Sequence, residues 1–440
     1  MAILSVCALA LAVLVSCVSR LNVGVLALAL AWIVGVYIGG MPVATIMSGF
    51  PSQLFLTLTG VTLLFALAET NGTLSRITHH AVRVCRGNRG TIPIMFFALG
   101  AGLSSMGPGN IATAALLAPL AMATAARVGI PLFLMAIMVG NGANSGALSP
   151  FAPTGIIVNG IMAKNGLPGL ELQTYLYNLF AHALVAFAGY ALFGGLKLFI
   201  GTPAGPEGPP LQSPSDDALP APAAVMSAAG VVDVEARPEP VRAEAFDRRH
   251  WITLATIVAL VLSVIIWKVN IGMAAFAGAV VLVLSNSADD GEAIKRMPWR
   301  VIVMVCGVTV LIALVERAQG IDLLVSMVAR TASATTVTGL VALFTGIVSV
   351  YSSTSGVVLP AFLPMVPGLA AALPGASPID IATSMNVGGH LVDVSPLSTI
   401  GALCLAGVAA ADEHRALFNK LLAWGLSMAV VGAVLCFVLF

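Results

Sequence analysis

The feature that most constrains this chain is an apolar segment interrupted in the same way twice. Asn141 to Gly155 reads NGANSGALSPFAPTG, and Asn386 to Gly401 reads NVGGHLVDVSPLSTIG. Both lie in hydrophobic surroundings, yet both carry glycines, small polar residues and a Ser-Pro step before closing on Gly. Ser149-Pro150 corresponds to Ser395-Pro396 and Gly155 to Gly401, each at an offset of 246 (395 − 149, 401 − 155). A continuous lipid-facing helix does not use this composition. Backbone groups freed by Gly and Pro at membrane depth must be satisfied by protein or by a water-lined cavity. Two interrupted helices in corresponding halves point to a binding site of the kind transporters build.

The surroundings are those of a membrane protein: 59% of the 440 residues are hydrophobic and 9% charged, against about 25% charged in a soluble domain. The net charge of +1 gives no bias toward nucleic acid. Six cysteines are scattered without metal-ligand or paired spacing, and most lie in apolar runs and read as small core residues. The first apolar run ends in Leu14-Val15-Ser16-Cys17, which resembles a lipoprotein cleavage box. No basic residue precedes it, as a leader would need, so this run is expected to be retained as a transmembrane helix.

The register of the repeat holds along the whole chain. Asn22-Val23-Gly24 recurs as Asn270-Ile271-Gly272 (270 − 22 = 248), Gly60-Val61-Thr62 as Gly307-Val308-Thr309 (247), Glu69 as Glu316 (247), Ser104-Ser105 as Ser352-Ser353 (248) and Pro119 as Pro367 (248). The fold expected is an all-α polytopic membrane protein made of two repeats, 1–200 and 248–440. Each has about five transmembrane helices, with a re-entrant hairpin (91–126, 334–373) and a broken helix (131–163, 379–408) among its elements. Neither arm of the first hairpin, 91–103 or 111–126, reaches the ~20 residues of a full span. Residues 201–247, rich in Pro and Ala and carrying 8 of the 19 acidic residues, read as a disordered linker.

Five crossings and a hairpin make an odd count, so the second repeat is expected to lie inverted. With both termini outside and the linker cytoplasmic, 16 of the 20 Lys and Arg fall inside, as the positive-inside rule requires. The expected location is the inner (plasma) membrane.

The polar residues within these elements are the candidate site. At a re-entrant tip the second arm points its free N–H groups at the midplane, where they attract anions. Gly107-Pro108-Gly109-Asn110 occupies this place in the first half, and Ser352, Ser353, Thr354, Ser355 and Gly356 in the second. Substrate contacts are expected from Asn110, Asn144, Ser145, Ser353, Thr354, Ser355, Ser395 and Thr399. The coupling ion is expected near Asn110, Ser149, His390, Asp393 and Ser398, with Na⁺, if that is the ion, at Asn110, Asn144, Ser355 and Asp393. Asp393 is the sharpest of these, because an acid at membrane depth is costly and by default functional. The bland alternatives are a polar loop capping a helix and a buried His390–Asp393 pair pinning an unwound segment. Glu69 and Glu316 read as interfacial residues capping a helix or pairing with Arg76 or Arg317, and His182 as a satisfied core histidine.

The runs GVTLLFALAETNGT, SSMGPGNIATAALLAPLA and GGHLVDVSPLSTIGALCLAG resemble the malonate/dicarboxylate carrier (MatC-like) family, within the ion-transporter group that includes the divalent anion:sodium symporters. The resemblance covers both halves and leaves out the linker. In those symporters each tip carries a Ser-Asn-Thr motif for substrate carboxylates and sodium. Here the equivalents are Gly109-Asn110-Ile111 and Thr354-Ser355-Gly356, so only Asn110 matches outright. The resemblance implies a homodimer, a fixed scaffold and elevator-like alternating access.

The sequence reading is therefore a secondary active carrier of a small malonate-like dicarboxylate, coupled to Na⁺ or H⁺, embedded in a lipid bilayer, with no other cofactor and no enzymatic activity. A Na⁺/H⁺ exchanger or inorganic-anion exporter on the same scaffold is the second reading. The third is an intramembrane hydrolase using His390, Asp393 and Ser395, although these sit within six residues and lack a nucleophile elbow.

Overall fold

A computed structural model describes residues 1–18, 21–77, 88–200, 246–408 and 411–440, and among these the chain is helical with no strand. The disordered-linker expectation for 201–247, except for Phe246 and Asp247, lies outside the described residues, as do Arg20, Arg83, Arg86, Arg237 and Arg242 among the 16 charges counted inside. In the first half the main helices are α1 (Ala2–Val18), α2 (Val23–Trp32, continued by a π-helical turn Ile33–Ile38), α3 (Ser52–Thr70), α4 (Thr91–Met106), α5 (Gly109–Val128), α6 (Leu132–Ser145), α7 (Pro153–Lys164) and α8 (Glu171–Leu192). In the second half they are α9 (Arg248–Trp267), α10 (Ile271–Leu284), α11 (Trp299–Arg317), α12 (Val337–Tyr351), α13 (Thr354–Ala372), α14 (Pro378–Leu391), α15 (Thr399–Ala406) and α16 (Ala411–Leu439). Each of α1–α8 thus has a counterpart eight places later.

The sequence chemistry that starts these helices is the same in both copies. Asn22 caps α2 by accepting from Gly24 N at 2.9 Å, and Asn270 caps α10 by accepting from Met273 N at 3.2 Å. A cap of this kind is worth about 1 kcal/mol. Asn22 also reaches across the repeat, its Nδ2 donating to Arg300 O at 3.0 Å just inside α11.

Packing between the copies is reciprocal. Helix α2 lies against α11 so closely that a methyl on Gly24 would stand 2.2 Å from Val303 O, and one on Gly307 would stand 2.1 Å from Gly24 O. The matching pair, α10 against α3, is held the same way: a methyl on Gly60 would meet Gly272 O at 2.5 Å, and one on Gly272 would meet Thr57 Cα at 2.7 Å. Small residues permit this backbone approach, which is how membrane helices associate without a hydrophobic drive between them. The two contacts pair the same elements with the halves exchanged.

Two apolar cores result. One gathers α1–α3 with α9–α11, and α7 and α13 press onto it. The other gathers α4–α6 and α8 with α12 and α14–α16. Within the second, α4 meets α6 through Gly142, whose added methyl would lie 2.5 Å from Phe97 O, and α12 meets α14 through Gly388, 2.3 Å from Ala342 O.

Helix lengths differ from the expectation at the hairpins. The first arms are short, 16 residues in α4 and 15 in α12. The second arms, α5 with 20 residues and α13 with 19, are among seven helices in the described residues that are long and apolar enough to cross a membrane. The gain comes from the tips: Gly109 and Asn110 join the first turn of α5, and Thr354 to Val358 form a π-helical turn that runs into the rest of α13. The chain also continues helical through Pro119.

Candidate functional site

Both Ser-Pro breaks are true interruptions. Helix α6 ends at Ser145 and α7 starts at Pro153, while α14 ends at Leu391 and, after a 3₁₀ turn Val392–Val394, α15 starts at Thr399. The local chemistry matches residue for residue. Ser149 Oγ accepts from Phe151 N and Ser395 Oγ from Leu397 N, each at 3.3 Å, so each serine hydroxyl turns the chain two residues on. Each returning chain then passes over the serine carbonyl at a glycine: a methyl on Gly155 would be 2.0 Å from Ser149 O, and one on Gly401 2.1 Å from Ser395 O.

The breaks bring most of the expected residues together. Asn144 and His390 are repeat counterparts (390 − 144 = 246), and they meet: Asn144 Nδ2 donates to His390 O at 3.5 Å. On the other side Asn144 Oδ1 accepts from Asn110 Nδ2 at 2.9 Å, so the first tip is tied to the first break. In the second half Thr354 Oγ1 donates to Asp393 Oδ1 at 2.7 Å and to Gly389 O at 3.3 Å, and it also bonds Ser349 Oγ. The second tip is therefore tied to the second break by different side chains in the same topological place. Asn110 and Thr354 are buried, and Asp393 is half-buried.

The tips themselves press on the scaffold helices. Gly107, at φ 138°, leaves no room for a side chain against the ring of Phe65 on α3, and Gly356 packs under Met304 Cε of α11. Ser353 caps the turn by accepting from Gly356 N at 3.2 Å. Ser355 and Thr399 are half-buried.

Several expected ligands have hydroxyls already engaged. Ser149 Oγ donates to Ser105 O at 2.7 Å, stapling the first break to the end of α4. Ser145 Oγ donates to Gly142 O at 2.7 Å, and Ser398 Oγ to Ser395 O at 2.9 Å and to Asp393 O. The three residue types of the hydrolase reading do not form a relay. His390 Nδ1 faces Asn386 O at 2.8 Å, Asp393 is held by Thr354, and Ser395 Oγ serves Leu397 N.

Other departures have local causes. Glu316 pairs neither with Arg317 nor along its own helix. It meets Lys164 Nζ at 3.5 Å, joining the end of α7 to the end of α11, while Arg317 turns back to Thr45 O and Ser48 Oγ. His182 is not satisfied: Nδ1 pairs with Asn141 Oδ1 at 2.9 Å, but Nε2 is buried without a partner. Asn178, one turn earlier on α8, donates to Asn144 O at 2.8 Å and Ser145 O at 3.2 Å, capping the carbonyl end of α6. The sequence held a signal for both, two polar residues at i and i+4 on one face of an apolar span.

Residues 1–147 match the family model described as the N-terminus of dicarboxylate carrier protein MatC. No curated protein matches the chain. Among solved structures the chain is similar to the YdaH transporter of Alcanivorax borkumensis, at 18% identity and a TM-score of 0.58, over 90% of this chain and 87% of that one. The fold is thus that of a solved transporter, in a multi-pass helical membrane protein.

Proposed function

We propose that the protein is a secondary active carrier of a small, malonate-like dicarboxylate, driven by Na⁺ or H⁺. The observation that carries this reading is the meeting of the two breaks at Asn144 and His390, with Asn110 on one flank and Thr354–Asp393 on the other. No Lys or Arg belongs to this group, so an anion is held by amides, hydroxyls and the positive ends of α5 and α15. The match of the first third of the chain to a dicarboxylate carrier family supports the substrate class. The expected geometry is two inverted repeats, with both termini extracytoplasmic and the linker cytoplasmic, working as a homodimer. The core of α4–α6, α8, α12 and α14–α16 moves against the other in an elevator-like stroke. Reconstituted in liposomes, the full chain takes up labelled malonate when a Na⁺ or pH gradient is imposed. Failure to move any di- or tricarboxylate under either gradient overturns the reading. The exchanger alternative instead moves the cation with no carboxylate present.

A further inference from the structure

Behind the junction of the breaks, α8 lies against α6 and α14, and five buried polar atoms there have no protein partner: His182 Nε2, His390 Nε2, Asn178 Oδ1, and Oδ1 and Nδ2 of Asn386. Native interiors leave few such atoms, so a cluster of five calls for an occupant. The hydrogen bonds fix what kind. Asn141 Nδ2 donates to Ile137 O at 2.8 Å, which turns its Oδ1 toward His182 Nδ1 and makes that nitrogen the protonated one. His390 Nδ1 faces a backbone carbonyl, which only accepts, so it too carries its proton. Both rings therefore present a bare Nε2 lone pair to the interior. Asn178 Oδ1, its amide nitrogen spent on Asn144 O and Ser145 O, is a third acceptor. The helices that carry the two imidazoles, α8 and α14, pack against each other, and Asn386 sits one turn before His390 on the same face of α14.

We propose that His182 is a proton-binding group of the carrier, reached through bridging waters that donate to the two Nε2 atoms and to Asn178 Oδ1 and accept from Asn386 Nδ2. This rests on the dicarboxylate reading above and names its coupling ion. The step is simple: one proton from the aqueous phase adds to the Nε2 lone pair of His182, no bond breaks, and the same proton leaves on the opposite side when the substrate does. Charge balance supplies the reason. A dianion seated at Asn110 and Asn144 meets no Lys or Arg and shares the site with the Asp393 carboxylate, so a proton taken up on His182 offsets negative charge that no cationic side chain there balances. Such coupling is reciprocal in the two affinities. His390 is the titratable group that faces His182 from α14. Helices α6 and α4 bring none, and α7 brings only Lys164, which is paired with Glu316. Glu413, His414, Arg415 and Lys420 of α16 are exposed.

The test uses the purified full chain and malonate at about pH 8, where malonate is a full dianion. Calorimetry in two buffers of different ionisation heat counts protons taken up. We expect about one proton per malonate for the wild type and close to none for His182→Gln, with malonate still bound and pH-driven uptake down at least about tenfold. Malonate binding with no proton uptake in the wild type overturns the proposal, as does undiminished uptake of protons by His182→Gln. If His182→Gln does not fold, Asn386→Leu, which removes a holder of the waters and keeps both rings, is expected to lower the proton count, and an unchanged count overturns it. If the wild type binds no malonate at all, the carrier reading itself is what has failed.

Discussion

Gly401→Ala is expected to remove transport altogether, and Gly155→Ala to do nearly the same. Neither glycine has a positive φ, so alanine's backbone preference is not the obstacle. The obstacle is space: the new methyl would lie 2.1 Å from Ser395 O at Gly401 and 2.0 Å from Ser149 O at Gly155. A carbonyl cannot give way by an ångström without opening the turn that Ser395 Oγ and Leu397 N close. Overpacking of this severity costs about 3 kcal/mol or more, concentrated at the junction that holds Asp393 and His390. Gly102 is the control. It lies within α4 with nothing near an added methyl, so Gly102→Ala should stabilise by up to about 1 kcal/mol. Uptake rates and melting temperatures of the three variants check this. Normal uptake by Gly401→Ala would mean that the break is not part of the working site.

Asp393 gives the second large effect, and two substitutions separate its roles. Its carboxylate accepts from Thr354 Oγ1 at 2.7 Å and so ties the second tip to the second break. Alanine removes both the charge and the tie. A hydrogen bond to a charged partner is worth about 1.5–3 kcal/mol, so Asp393→Ala is expected to lose on the order of 10- to 100-fold in uptake. Asparagine keeps an oxygen for Thr354 and removes only the charge. We expect Asp393→Asn to fold normally and bind malonate, and to respond to an imposed cation gradient far less than the wild type. Full gradient response in Asp393→Asn would remove the acid from the coupling machinery.

How far these residues could be found without coordinates depends on whether their role is local. The Ser-Pro breaks, the closing glycines and the Asn22 and Asn270 caps are set by short-range chemistry, and the spacing of the repeat marks them plainly. Asn110 and Asp393 stood out because polar groups are expensive in an apolar run. Their partners were not legible. Thr354 reaches Asp393 across 39 residues and Asn110 reaches Asn144 across 34, and no period in the sequence encodes which of several hydroxyls will face an acid. Glu316 shows the same limit, since its nearest cation along the chain is not its partner in space. His182 is hidden in the sequence for a different reason: a histidine in an apolar span is usually satisfied. Only the opposing Asn141 amide, with its own orientation fixed, reveals which ring nitrogen is left bare.

The interlocked glycine contacts of α2 with α11 and of α10 with α3 have a consequence for the covalent chain. The halves grip each other through backbone at these glycines, so their association is expected to survive a cut between 201 and 245. A protein severed there, with its two fragments made separately, is expected to reassemble and co-purify. A bulky residue at Gly24 or Gly307 would set the fragments free, where in the unbroken chain the same lesion would be masked by the tether.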